Sequence, residues 1–155
     1  MKNIYFRMLC IMLSLMGTAL VATGCIDIPS STSSNVTSSS SGLLGGATMA
    51  LSLDNTTLKP LKTTDVFKRD TPVIHCSVLL LNAPEETIVS AEWIFIKGET
   101  GKENVKINSK AINTDGPRYL AFSLVRPGEA WPRGDYKVVI SVNGKQELTV
   151  PFRIE

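Results

Sequence analysis

A chain of 155 residues carries 16 lysines and arginines against 14 aspartates and glutamates, with 43% hydrophobic and only 6% aromatic residues. A balance this close to neutral, without a basic block, excludes the electrostatic footprint that nucleic-acid binding needs. The single histidine, His75, stands beside Cys76 in an alternating segment, and one ligand of each kind on opposite faces is not a zinc site.

The N-terminus reads MKNIYFRMLCIMLSLMGTALVATGC. Lys2 and Arg7 form a short positive region, Met8 to Ala22 is apolar apart from small residues, and no acid occurs before Asp27. A positive end that stays in the cytoplasm and an apolar run that enters the bilayer make a secretory signal, over residues 1–24. The run is shorter than the roughly 20 residues that span a membrane comfortably, so a permanent anchor is the weaker reading. Small residues at Ala22, Thr23 and Gly24 precede Cys25, and VATGC resembles the lipobox of bacterial lipoproteins, with Ala22 where leucine is usual. The resemblance implies cleavage before Cys25 and a lipid-anchored protein of the cell envelope, held by membrane lipid (diacylglycerol and palmitate-type chains) on that cysteine. Ile26, rather than aspartate, implies the outer membrane in a Gram-negative host. The alternative is an ordinary signal peptide with an incidental cysteine. Two or three acyl chains, at about 0.8 kcal/mol per buried methylene, hold a protein stably where one does not.

Such processing removes Lys2, Arg7 and Cys10 and no acid, leaving 14 basic and 14 acidic side chains and Cys76 as the sole free thiol. No intramolecular disulfide is then available, although an exported location would permit one.

Residues 25–46 continue as CIDIPSSTSSNVTSSSSGLLGG, rich in Ser, Thr and Gly and without a period of 2 or 3.6. This is a flexible spacer that holds the folded part away from the headgroups. Asn35-Val36-Thr37 and Asn55-Thr56-Thr57 match the glycosylation sequon, which is a chance match in a bacterial lipoprotein.

Residues 47–155 are enough for one domain with a single core. ATMALSLD opens it. TPVIHCSVLLL alternates Ile74, Cys76, Val78 and Leu80 on one face, and TIVSAEWIFIK places Ala91, Trp93 and Phe95 together. ENVKIN is a short, charged, edge-like segment. PRYLAFSLV aligns Leu120, Phe122 and Leu124, DYKVVISV sets Tyr136, Val138, Ile140 and Val142 inward, and QELTVPFRI does the same with Leu148, Val150, Phe152 and Ile154. Period 2 recurs throughout, with Asn143-Gly144 suited to a type I′ hairpin. About seven strands with turn chemistry between them predict an all-β antiparallel sandwich.

Cys76 on the second of these strands, Trp93 on the third and Tyr136 opening the penultimate one resemble the Cys…Trp…Tyr framework of immunoglobulin-like and fibronectin-III-like modules. Val138 stands where the second cysteine would be. The resemblance implies that Cys76 and Val138 face one another as ordinary packing. It also implies that Tyr136 makes a tyrosine corner, its hydroxyl bonded back to loop backbone. The phrase WPRGDYKVVISVNG is similar to one common at this position in uncharacterised prokaryotic lipoproteins, and it adds no activity.

Candidate chemistry is sparse. His75 and Cys76 are adjacent, but successive strand side chains point to opposite faces, so the imidazole cannot take the thiol proton. Cys76 reads as core and His75 as outward. Glu85-Glu86 and Asp115 lie in expected loops without a calcium-loop spacing. GLLGG belongs to the spacer and precedes no helix, so it is no phosphate loop. No catalytic residue, cofactor or metal site is expected. Trp131 is a candidate contact for a sugar or a partner side chain, or else a plug at the end of the sandwich. Arg133-Gly134-Asp135 matches a tripeptide read by adhesion receptors, and Arg133 and Asp135 are candidate contacts. The corner that feeds the penultimate strand also accounts for all three. The expected function is a non-catalytic binding or accessory module that presents loops or an edge to an envelope protein or glycan. The alternative is a structural subunit of an envelope assembly completed by edge-strand pairing. An enzyme would need a carboxylate pair from distant loops.

Overall fold

The computed structural model describes residues 41–155. The signal, Cys25 and the spacer up to residue 40 lie outside the described residues. Nine strands and no helix make up the described chain: β1 Leu44–Leu53, β2 Pro60–Thr63, β3 Val66–Phe67, β4 Val73–Leu80, β5 Thr87–Gly98, β6 Val105–Thr114, β7 Arg118–Val125, β8 Gly134–Val142 and β9 Lys145–Ile154. They form two sheets, a four-stranded one in the order β2-β1-β4-β7 and a five-stranded one in the order β3-β9-β8-β5-β6. Every pairing is antiparallel except β3 against β9, which is parallel.

Alternation explains the core. Ile74, Cys76, Val78 and Leu80 of β4 and Leu120, Phe122 and Leu124 of β7 are buried from one sheet. From the other come Val89, Ala91, Trp93 and Phe95 of β5 and Tyr136, Val138, Ile140 and Val142 of β8, all in the same apolar cluster. Phe152 anchors an aromatic group, stacking on Tyr136 at 5.1 Å and meeting Phe67 and Trp93 edge-on at 5.7 and 5.9 Å. Such contacts add to the area each ring buries.

Three expectations change. The first strand begins at Leu44, ahead of Ala47, because Gly45 is taken up as a bulge: Leu44 pairs with Leu80 and Gly46 with Leu79. A Cβ at Gly45 would come within 2.8 Å of the Leu79 side chain, so these glycines serve the strand and not a linker. The strand count rises from about seven to nine because β2 and β3, four and two residues long, show no usable alternation. Val150 packs against the core but is only partly buried, and a bulge between Ile140 and Ser141 carries Glu147 inward beside Leu148. The β8–β9 hairpin turns on Asn143 and Gly144 with φ of 49° and 80°, the positive values that a type I′ turn demands.

Strand direction sorts the loops into two ends. Residues 81–86, 115–117 and 143–144 lie with Ser41, where β1 starts beside the end of β4. Residues 54–59, 68–72, 99–104 and 126–133 lie at the other end with Glu155.

Candidate functional site

The three candidate contact residues all fall at the Glu155 end, and the fold treats each differently. Trp131 is 1% exposed, and its indole N–H donates to the Thr71 carbonyl at 2.7 Å. Its backbone N–H donates to the Arg69 carbonyl at 2.9 Å while Arg69 Nε donates to the Trp131 carbonyl at 3.0 Å. The ring thus lies buried at the end of the core, with its indole N–H satisfied inside the fold. Tyr136 lies beneath the same loop, and its hydroxyl donates to the Pro132 carbonyl at 2.6 Å, four residues back. Burial, with Glu99 adding to it, pushes the Tyr136 phenol up to about 12, so it stays a donor at any physiological pH.

Arg133 is exposed, and its backbone carbonyl accepts from the Glu99 N–H at 3.0 Å. Gly134 is the first residue of β8 and not a free turn residue. With φ of +154°, it lies so close to Gly98 that a Cβ would sit 2.3 Å from the Lys97 carbonyl oxygen. Asp135 is half-buried and accepts from Arg153 Nε and Nη2, both at 2.9 Å, across the β8–β9 pair. Two residues of the tripeptide thus lie in a strand, and its carboxylate is paired within the sheet.

More of this end is tied by arginine. Arg69 Nη2 reaches Glu99 Oε1 at 3.0 Å. Arg126 Nη1 donates to the Asp70 carbonyl at 2.6 Å and its Nε to the Gly128 carbonyl at 2.9 Å. Between the start of β6 and the 126–133 loop lies an apolar cleft of about 160 Å³. Trp131, Pro132, Phe95, Tyr136, Val105 and Ile107 line it.

Among known proteins, no family model matches the chain and no curated protein matches it. Among solved structures it is similar to a Pseudomonas fluorescens alkylpurine DNA glycosylase, AlkC, bound to DNA containing an abasic site analog. That likeness has 15% identity and a TM-score of 0.40, and it covers 70% of this chain but only 30% of the other. It is too distant to carry any functional conclusion.

The His75–Cys76 pair separates as alternation requires. Cys76 is fully buried, and burial pushes its thiol up to about 12, which keeps it from being a nucleophile. His75 faces outward on the four-stranded sheet, where Nδ1 and Ser123 Oγ share a hydrogen bond of 2.8 Å between paired strands. Partial burial holds the imidazole below its ordinary range. No carboxylate bonds this ring among the described residues, so the Ser123–His75 pair lacks the orienting group of a triad. Asp115 pairs with Arg118 at 2.7 Å, and Glu86 occupies a turn position with φ of 59°. No cluster of three metal-ligating side chains occurs among the described residues.

Sequence reasoning missed the cleft. Its one legible trace is Val105 and Ile107 at the start of a segment otherwise charged and polar. What turns them into a cleft wall is the 126–133 loop, whose prolines carry no period.

Proposed function

We propose that the chain is a bacterial lipoprotein, anchored through acylated Cys25 to a membrane of the cell envelope. Its immunoglobulin-like β-sandwich acts there as a non-catalytic module that binds an envelope protein or a glycan. The signal pattern and VATGC support the anchor. Three observations support the immunoglobulin-like assignment: the order β3-β9-β8-β5-β6 facing β1-β4-β7, the parallel β3–β9 pair, and the Tyr136 hydroxyl bonded back to Pro132. The full burial of Cys76 and Val138, one on each sheet, supports the same reading.

The observation that carries the binding role is polarity. Ser41, the first described residue, and the apolar cleft with its arginine-braced loops lie at opposite ends of the domain, which supports a cleft free for a partner. Two measurements test this. Palmitate labelling should vanish in Cys25→Ser; labelling that persists would sink the anchor. The mature protein, used as bait in detergent-solubilised envelope, should recover one specific partner, and repeated recovery of none would count against the module.

The second reading, a structural subunit completed by edge-strand pairing, is favoured by β6, ten residues long at the edge of its sheet. It requires the isolated protein to be oligomeric by light scattering, whereas a free binder is monomeric.

A further inference from the structure

The two sheets are unequal, five strands against four, and the odd strand is β6. Seven consecutive residues of β6, Val105 to Ala111, are exposed although the strand pairs with β5, with a bulge at Ile107 where the register shifts between Trp93 and Ile94. Among the described residues its outer edge meets no strand, so main-chain donors and acceptors are open to an added chain, apart from the Ser109 N–H, which donates to Asn108 Oδ1 at 2.7 Å. The other short edges offer little: β2 has four residues and β3 two. The β7 edge runs beside Leu120, Phe122 and Leu124, all buried, and so has no apolar space next to it.

Among the described residues, β6 combines a long edge with an apolar cleft. Val105 and Ile107, each 39% exposed, line the apolar cleft at its start. At about 160 Å³ the cleft is of the size that holds a benzene ring in an engineered cavity of ~150 Å³, hence one aliphatic or aromatic side chain. The charges along the edge itself are positive, with Glu103 beside Lys102 as an exposed acid at its start. β6 carries Lys106 and Lys110 and no acid, and Lys102 stands at the cleft. Lys106 pairs with Glu92, while Lys102 and Lys110 make no ion pair among the described residues. Edge lysines disfavour pairing with a second copy of β6, since like charges opposite one another on a sheet repel. The same lysines complement carboxylates.

We infer that β6 is the docking edge for an extended, acidic strand of a partner polypeptide, which joins the sheet by main-chain hydrogen bonds and seats one apolar side chain in the cleft between Ile107 and Pro132. This rests on the binding-module reading and names the partner's chemistry.

The test uses the full-length chain in detergent micelles and a fluorescent nonapeptide of alternating glutamate and valine with a central phenylalanine. A second peptide replaces each glutamate with lysine. Expected are saturable binding of the glutamate peptide, at least tenfold weaker binding of the lysine peptide, and at least tenfold loss with Val105→Glu. Val125→Glu, on the outer face of β7 where Val125 is 68% exposed, should leave binding unchanged. Equal binding of both peptides, no saturable binding, or indifference to Val105→Glu overturns the inference. So does self-association that Val105→Glu abolishes, because the occupant is then a second copy. An envelope partner recovered as strongly by Val105→Glu as by the parent chain would overturn the β6 edge alone and leave the binding module standing.

Discussion

The two ends of the domain are held by different means. At the Ser41 end the loops are short and main-chain bonds close them: Leu81 N–H to the Leu43 carbonyl at 2.9 Å, Gly116 N–H to Ala83 at 3.0 Å, and Asn143 N–H to Ile88 at 2.8 Å. The Asn143 side chain completes the last pair by accepting from the Ile88 N–H at 2.9 Å. At the Glu155 end the loops are longer, and side chains from distant parts of the sequence brace them. Arg69 and Trp131 exchange hydrogen bonds across 62 residues, and the Trp131 indole reaches back 60 residues to Thr71. A two-residue turn needs only residues that tolerate its dihedrals. In a loop of eight residues such as 126–133, the carbonyls of Gly128, Trp131 and Pro132 are met by side-chain donors.

The contrast predicts that substitutions at the Glu155 end do more damage. Trp131→Ala should cost about 3–5 kcal/mol in urea unfolding, since it removes a buried ring and leaves the Thr71 carbonyl unpaired. A loss below about 1 kcal/mol would mean that the ring is not a plug. Gly134→Ala should cost more than about 1 kcal/mol, because its Cβ meets the Lys97 carbonyl; an unchanged midpoint would contradict the close approach of β5 and β8. At the other end Asn143→Ala should cost about 1 kcal/mol, with Asn143→Gly recovering part of it through the dihedrals. If Asn143→Ala matched Trp131→Ala, the contrast would be gone. Asp135→Ala breaks a surface pair with Arg153 and should stay within about 0.5 kcal/mol. The smallest effect concerns pH. Burial lowers the His75 pKa in the fold, so its contribution is complete above the unfolded value near 6.5 and is lost as pH falls through the lower folded value. His75→Gln should flatten that acid-side slope in stability; a slope unchanged in the variant would assign it to other groups.

Much of the fold was legible because one face of each long strand is buried. Ile74, Cys76, Val78 and Leu80, or Tyr136, Val138, Ile140 and Val142, announce a strand by alternation alone. Where backbone irregularity enters, alternation fails. Gly45 and Gly46 read as linker because a bulge and a linker both use glycine, and only the pairing with Leu79 and Leu80 separates them. β3 is two residues whose partner is β9, far along the chain, and nothing local marks it. For the site, Tyr136 was foreseeable because its partner is four residues away. The role of Trp131 depends on Thr71 and Arg69, and the cleft depends on β6 meeting a loop some twenty residues later, so neither is written in any short window.

The direction of β1 has a mechanical consequence. Its N-terminal residue Leu44 lies at the Ser41 end and its pairing with β4 runs from Leu80 to His75, antiparallel and along the long axis. Tension applied through the chain at Ser41 therefore acts along the strand, and the hydrogen bonds to β4 lie across that direction. They are loaded together in shear and do not open one after another like a zipper. The contact that yields first is the Ser41 N–H to Glu147 Oε2 hydrogen bond of 3.0 Å, ahead of the sheet itself. A tug at Ser41 should thus strip that bond and free Ser41 and Gly42, while Leu43, bonded to Leu81, and β1 stay in place.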